Sequence, residues 1–252
     1  MTQRSFRIPL GRRIWEPVLR FLLWLFTRVT VEGLENIPRT GPVILILNHV
    51  HFLDPVVLVA AMPRYAVPIA KAESLKWPVL GKLLQWYPVI PIRRGELDMA
   101  AMRCADRLLA EGQALIIAPE GTRSPTGGLQ RGKEGFVFFA RRHDPVIVPV
   151  AVTGASAFNA NYKRFRRTSV HIRIGQPFKF RWPASGRVDK ATMRRMADEA
   201  MYRIAAILPP EMRGVYSDLS QATADFLIPL VANDFEPRGR QGSQRAPDRF
   251  VA

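Results

Sequence analysis

Residues 43–55 read VILILNHVHFLDP, and the fold follows from how this stretch changes character at Asn48. The run 43–47 is branched and aliphatic with no polar alternation, so it belongs in a strand covered on both faces, the pattern of a parallel sheet. Polar residues then arrive together. Asp54, followed by Pro55 and an apolar stretch to about Met62, reads as a helix start with Asp54 as N-cap and Pro55 at the first helical position. Strand, polar turn and helix make the opening of a βαβ unit.

Working outward, apolar runs bounded by turn formers recur at 89–92, 114–118, 146–152 and 170–174, each the length of a strand. Helical patterns fall between and after them. In 96–111, Leu97, Ala101, Cys104 and Leu108 share one face and Gly112 supplies a stop; 189–208 is halted by Pro209 and Pro210. The expectation is an α/β domain, a mostly parallel sheet flanked by helices, with its chemistry at the C-terminal ends of the strands. The 252 residues suffice for one such domain.

Lys and Arg number 37 against 21 Asp and Glu, a formal net charge of +16, which points to a polyanionic partner such as lipid head groups, nucleic acid or a phosphorylated substrate. One cysteine, Cys104, excludes an intramolecular disulfide and reads as a core residue of a reducing compartment. With four scattered histidines no zinc spacing can be assembled, so no metal is expected. Near the N-terminus, Arg20 and Arg28 bracket only seven uncharged residues, whereas a spanning helix needs about 20 apolar positions. Ile14, Val18, Phe21, Leu22 and Leu25 recur at helical spacing beside Trp15, Trp24 and several arginines. This suits a helix lying in a membrane interface, and equally one packed on its own core. From 161 to 182 aromatics alternate with Lys and Arg without an acidic residue, a composition that fits an anionic bilayer or single-stranded nucleic acid.

His49 ends the first strand and Asp54 begins the next helix, so the two can meet across the turn. The carboxylate then accepts one imidazole proton and leaves the other nitrogen to deprotonate an alcohol. After the strand 114–118 comes Pro119-Glu120-Gly121-Thr122-Arg123-Ser124. Glycine there lets backbone N–H groups approach an anion, and Thr122, Arg123 and Ser124 add donors. Arg93 and Arg94 close a further strand and can fork onto phosphate. Singly, each also reads as an ordinary cap, turn or solvated face.

In this order the blocks resemble the glycerolipid acyltransferase superfamily, above all the 1-acylglycerol-3-phosphate O-acyltransferases, over roughly residues 33–175. The resemblance implies that His49 is the general base and Asp54 its orienting carboxylate. It implies that Arg94 contacts the acceptor phosphate, with Pro91 where the family usually has an aromatic. Glu120, Gly121, Thr122 and Arg123, an intact block, would bind the glycerol phosphate, and Lys133 with Gly135 is similar to a basic-glycine pair that follows it. The apolar strand around Pro149 corresponds to a channel or packing element. His51 stands where the family commonly has a small polar residue and could compete for Asp54; His49 alone has the family offset.

The implied reaction needs no cofactor. A fatty acyl group passes directly from acyl-CoA or acyl carrier protein to the sn-2 hydroxyl of 1-acylglycerol-3-phosphate, giving phosphatidic acid in phospholipid synthesis. The implied setting is an anionic membrane surface at the cytoplasmic face of the cell membrane, held peripherally or monotopically. Another lysolipid or a glycolipid acceptor stays open. A rival of a different class, a basic nucleic-acid-binding protein without catalysis, explains the charge but leaves the strand-end residues unexplained. The expected organisation is a basic amphipathic interface segment at 1–31, the acyltransferase domain at 32–210, a helical extension at 211–236 and a disordered basic tail at 237–252.

Overall fold

A computed structural model describes residues 12–76, 87, 89–93, 98–184, 186–231 and 234–235. Their helices are α1 (Arg12–Phe26), α2 (Leu53–Ala61), α3 (Met99–Ala110), α4 (Gly135–His143), α5 (Phe158–Lys163) and α6 (Lys190–Ile207). The strands are β1 (Thr27–Glu32), β2 (Val43–Leu47), β3 (Ala66–Lys71), β4 (Ile90–Ile92), β5 (Ala114–Ile117), β6 (Val146–Thr153), β7 (Thr168–Ile174), β8 (Phe178–Phe180) and β9 (Leu227–Pro229). They form one sheet in the order β1-β7-β6-β2-β5-β3-β4, with β8 joining β6 to β9. From β6 through β2, β5 and β3 to β4 all pairings are parallel; β7 runs antiparallel to β6 and pairs in parallel with β1.

The expected α/β architecture is what the chain adopts, because the apolar strands have two faces to cover. Ile44 and Ile46 of β2 join a core with Ala101 and Leu108 of α3, Phe136 of α4 and Met201 of α6. Val43, Leu45 and Leu47 face the other way, onto Leu53 and Val57 of α2 and Leu19 and Leu23 of α1. Every residue of β2 and β5 is buried, so their continuous hydrophobicity is used on both sides. At the opposite strand ends the Arg64 guanidinium donates to the carbonyls of Pro38, Gly41 and Gly112 at 2.6 to 3.0 Å, closing three loops.

Several local expectations change. β3 carries Pro68 inside a sheet strand, which breaks the usual strand signature. β1 takes up the end of the stretch read as an N-terminal interface segment, 1–31, and pairs with β7 as a strand of alternating burial. Residues 211–231, expected as a helical extension, form short 3-10 turns and strand β9. Glu96 and Leu97 lie outside the described residues; α3 begins at Met99, and the Asp98 carboxylate caps it by accepting from the N–H groups of Ala100 and Ala101. The tail 237–252 also lies outside the described residues. Asp54 is not the N-cap of α2. The helix starts at Leu53, and the Asp54 carboxylate instead reaches back into the preceding turn.

Candidate active site

The register of β2 and β5 sets the site. Ile46 pairs with Ile117, and continuing both strands by the same offset brings His49 abreast of Glu120. The pairing is carried on by a side chain. Glu120 Oε1 accepts the His49 N–H at 2.9 Å, and the Ser124 N–H donates to the His49 carbonyl at 2.7 Å. The His49 peptide is therefore gripped at both ends by the loop after β5. On its other side Asn48 extends the pairing with β6: its amide accepts the Val152 N–H at 2.7 Å and donates to the Val152 carbonyl at 2.9 Å.

Asp54 orients the imidazole. Its Oδ2 accepts the N–H groups of Val50 and His51, both at 2.7 Å, and lies 3.2 Å from His49 Nδ1. The side chain is 1 % exposed while that of His49 is 17 % exposed. A carboxylate partner requires the proton on Nδ1, which leaves Nε2 as the basic nitrogen. His51 is arranged differently. It gives Asp54 its backbone N–H, and its ring packs on Phe52 and Phe158 at centroid distances of 4.4 and 6.0 Å. Burial pushes its imidazole below the ordinary histidine range, opposed by the Asp54 carboxylate and reinforced by the charge of Arg123.

His49 lines a cavity of about 450 Å³ at the C-terminal ends of the parallel strands, within the usual size of small-molecule sites. Leu47, Val56, Val59, Ile116 and Phe136 make much of its wall, and Arg123 and Lys133 bring positive charge to it. Gly121, with φ +71, admits the Lys133 side chain to a position where a Cβ would meet its Nζ at 3.0 Å. The left-handed turn favours glycine, and a side chain there would also displace the end of Lys133. Thr122 is exposed and does not line the cavity. Arg94 lies outside the described residues, whereas Arg93 lines the cavity. No group of His, Cys, Asp and Glu among the described residues could hold a metal.

Glu120 is placed apart from the cavity. It is 3 % exposed, and its Oε2 accepts the Gln130 N–H at 2.9 Å. Burial pushes its carboxyl above the ordinary range, and the N–H bonds from Gln130 and His49 oppose that shift. The carboxylate thus acts on the backbone of His49. Sequence reasoning assigned it to the substrate, because motif spacing cannot show which way a side chain turns. It also missed the polar network behind Lys133. Tyr216 accepts the Gly132 N–H at 3.1 Å and donates to Asp198 at 2.7 Å, while Arg194 holds Asp198, Glu134 and the Gly132 carbonyl. These partners come from 194–216, far along the chain, and no local pattern marks them.

An imidazole held by a buried carboxylate opens here on a largely apolar cavity with cations at its wall, an arrangement chemically able to take a proton from a group lodged there. Comparison with known proteins narrows the class. The Acyltransferase family pattern matches residues 28–153, and the chain belongs to this family. It is 32 % identical over 165 residues to a 1-acyl-sn-glycerol-3-phosphate acyltransferase of Cocos nucifera, covering 64 % of this chain and 53 % of that one. It is 30 % identical over 143 residues to the protein of the same name from Borreliella burgdorferi, covering 56 % and 57 %. These alignments span about half the length of the relatives. The crystal structure of the 1-acyl-sn-glycerophosphate (LPA) acyltransferase PlsC from Thermotoga maritima superposes with a TM-score of 0.55 at 24 % identity over 86 % of each chain, a likeness of fold. The matched residues hold every cavity-lining residue except Leu19.

Proposed function

We propose that this chain transfers a fatty acyl group from a thioester, acyl-CoA or acyl carrier protein, to the sn-2 hydroxyl of 1-acylglycerol-3-phosphate. One observation carries the reading: the His49–Asp54 pair, at 3.2 Å, stands in the wall of an apolar cavity that also holds Arg123 and Lys133. The cavity takes acyl chain, and the two cations take phosphate. His49 Nε2 removes the hydroxyl proton as the oxygen attacks the thioester carbonyl. The new C–O bond replaces the C–S bond, and His49 returns the proton to the departing thiolate. Asp54 holds the ring and stabilises the imidazolium formed on the way. Arg94 is assigned to the acceptor phosphate, and Thr122 to the glycerol phosphate. The proposed setting is the cytoplasmic face of a membrane. Among the described residues no helix is long and apolar enough to cross one, and α1 exposes Phe21, Trp24 and Leu25.

The test compares wild type with His49→Ala, Asp54→Asn and Arg123→Ala on lysophosphatidic acid and on neutral lysolipids, with both donor types. The expected loss is about 10² to 10⁴ in rate for His49→Ala, and a raised KM confined to phosphate-bearing acceptors for Arg123→Ala. Undiminished turnover by His49→Ala, or an acyl adduct trapped covalently on the protein, refutes the reading.

A further inference from the structure

We infer that the loop joining α5 to β7 is a second membrane anchor, in which Phe165 enters the surface of an anionic bilayer between flanking basic side chains. This deepens the proposed function by naming the surface that faces the lipid, and rests on that reading only for its purpose.

The local backbone carries the first part. α5 ends at Lys163, the Phe165 N–H donates to the Tyr162 carbonyl at 3.1 Å and the Arg166 N–H to the Asn161 carbonyl at 2.9 Å. These are the paired bonds of a Schellman ending, whose left-handed position normally holds glycine. Here phenylalanine occupies it, at φ 54. An aromatic in this conformation is strained, and nothing in the fold compensates it, because Phe165 is 101 % exposed. A residue that costs stability and makes no packing contact has its use outside the folded chain.

The surroundings identify the partner. Lys163, Arg164 and Arg166 are exposed on either side of Phe165, so the tip presents one large apolar ring among cations. The loop is tied to the N-terminal helix and strand. Arg167 donates to the Thr27 carbonyl at 2.8 and 3.0 Å and lies over the Trp24 ring at 5.4 Å, and Tyr162 meets Phe26 at 5.5 Å. These contacts join the tip to α1, which exposes Phe21, Leu22, Trp24 and Leu25 and buries Leu19 and Leu23. Leu19 in turn lines the cavity. Stacked aromatics with cations also suit single-stranded nucleic acid, but the aliphatic side chains exposed along α1 offer bases nothing to stack on, whereas hydrocarbon covers them.

The experiment uses the full chain and vesicles of phosphatidylcholine with and without phosphatidylglycerol, in a flotation assay without turnover. Phe165→Gly relieves the left-handed strain, so it is expected to melt about 2 to 4 °C higher than wild type while binding vesicles about tenfold more weakly. Arg164→Gln and Arg166→Gln are each expected to weaken binding about fivefold, and only to vesicles containing phosphatidylglycerol. Vesicle binding by Phe165→Gly equal to that of wild type overturns the inference. So does wild-type binding of a fluorescent single-stranded oligonucleotide that depends on Phe165 when vesicle binding does not. Acyl transfer measured separately in detergent micelles keeps the two proposals apart. A chain inactive on lysophosphatidic acid that floats through Phe165 ends the acceptor assignment alone, and an active chain whose flotation ignores Phe165 ends this one alone.

Discussion

Glu120→Gln separates a residue that binds substrate from one that holds the catalytic backbone. Each carboxylate oxygen faces a part-buried N–H at 2.9 Å, that of His49 on one side and that of Gln130 on the other. An amide offers one acceptor and one donor, so either N–H is left against an NH₂ group. A hydrogen bond to a charged group contributes about 1.5 to 3 kcal/mol, and an orphaned buried donor costs about 1 to 3. The burial that raises the Glu120 carboxyl also penalises its charge, and the neutral amide escapes that penalty. A net loss of roughly 2 kcal/mol is expected, a melting temperature lower by about 4 to 8 °C. With the His49 peptide held less firmly on its Glu120 side while the Ser124 N–H bond remains, kcat should fall, by up to about 10²-fold, measured with saturating lysophosphatidic acid well below the variant's melting point. KM should change little. A variant that melts like wild type and shows a raised KM with unchanged kcat refutes the clamp and returns Glu120 to the substrate.

Tyr216→Phe removes the acceptor of the Gly132 N–H and should cost about 1 to 3 kcal/mol, read by thermal melting; unchanged stability would show that this network does not support the Lys133 loop. Arg64→Ala leaves the carbonyls of Pro38, Gly41 and Gly112 without their donor and should destabilise by about 2 to 4 kcal/mol in denaturant titration. Val56→Trp fills part of the cavity and should shift preference towards shorter acyl donors, measured as kcat/KM ratios across chain lengths. His51 sets an acid limb. Because burial lowers its folded pKa, the unfolded chain alone binds the proton below about 6.5, so stability is full above that pH and declines as pH falls through the window beneath it. His51→Gln should flatten that part of the melting-temperature profile.

What the sequence by itself determined is local. Continuous aliphatic runs such as 43–47 and 114–117 determine strands covered on both faces, and the polar breaks after them mark the strand ends on which the cavity opens. His49 and Asp54 are legible because five positions and one turn connect them, a distance within which local geometry dominates. Tertiary structure decided what depends on register and crossing. Only the pairing of Ile46 with Ile117 turns Glu120 onto the His49 backbone, and only the fold brings Tyr216 and Arg194 behind Gly132. β3 was hidden by Pro68, and β1 by a neighbouring helical pattern, because a strand's fitness lies in its partners more than in its own letters. Whether α1 turns its apolar side inward or outward was likewise undecided by periodicity. In the fold Leu19 and Leu23 turn inward, while Val18, Phe21, Leu22, Trp24 and Leu25 stay exposed, a division that depends on what the helix packs against.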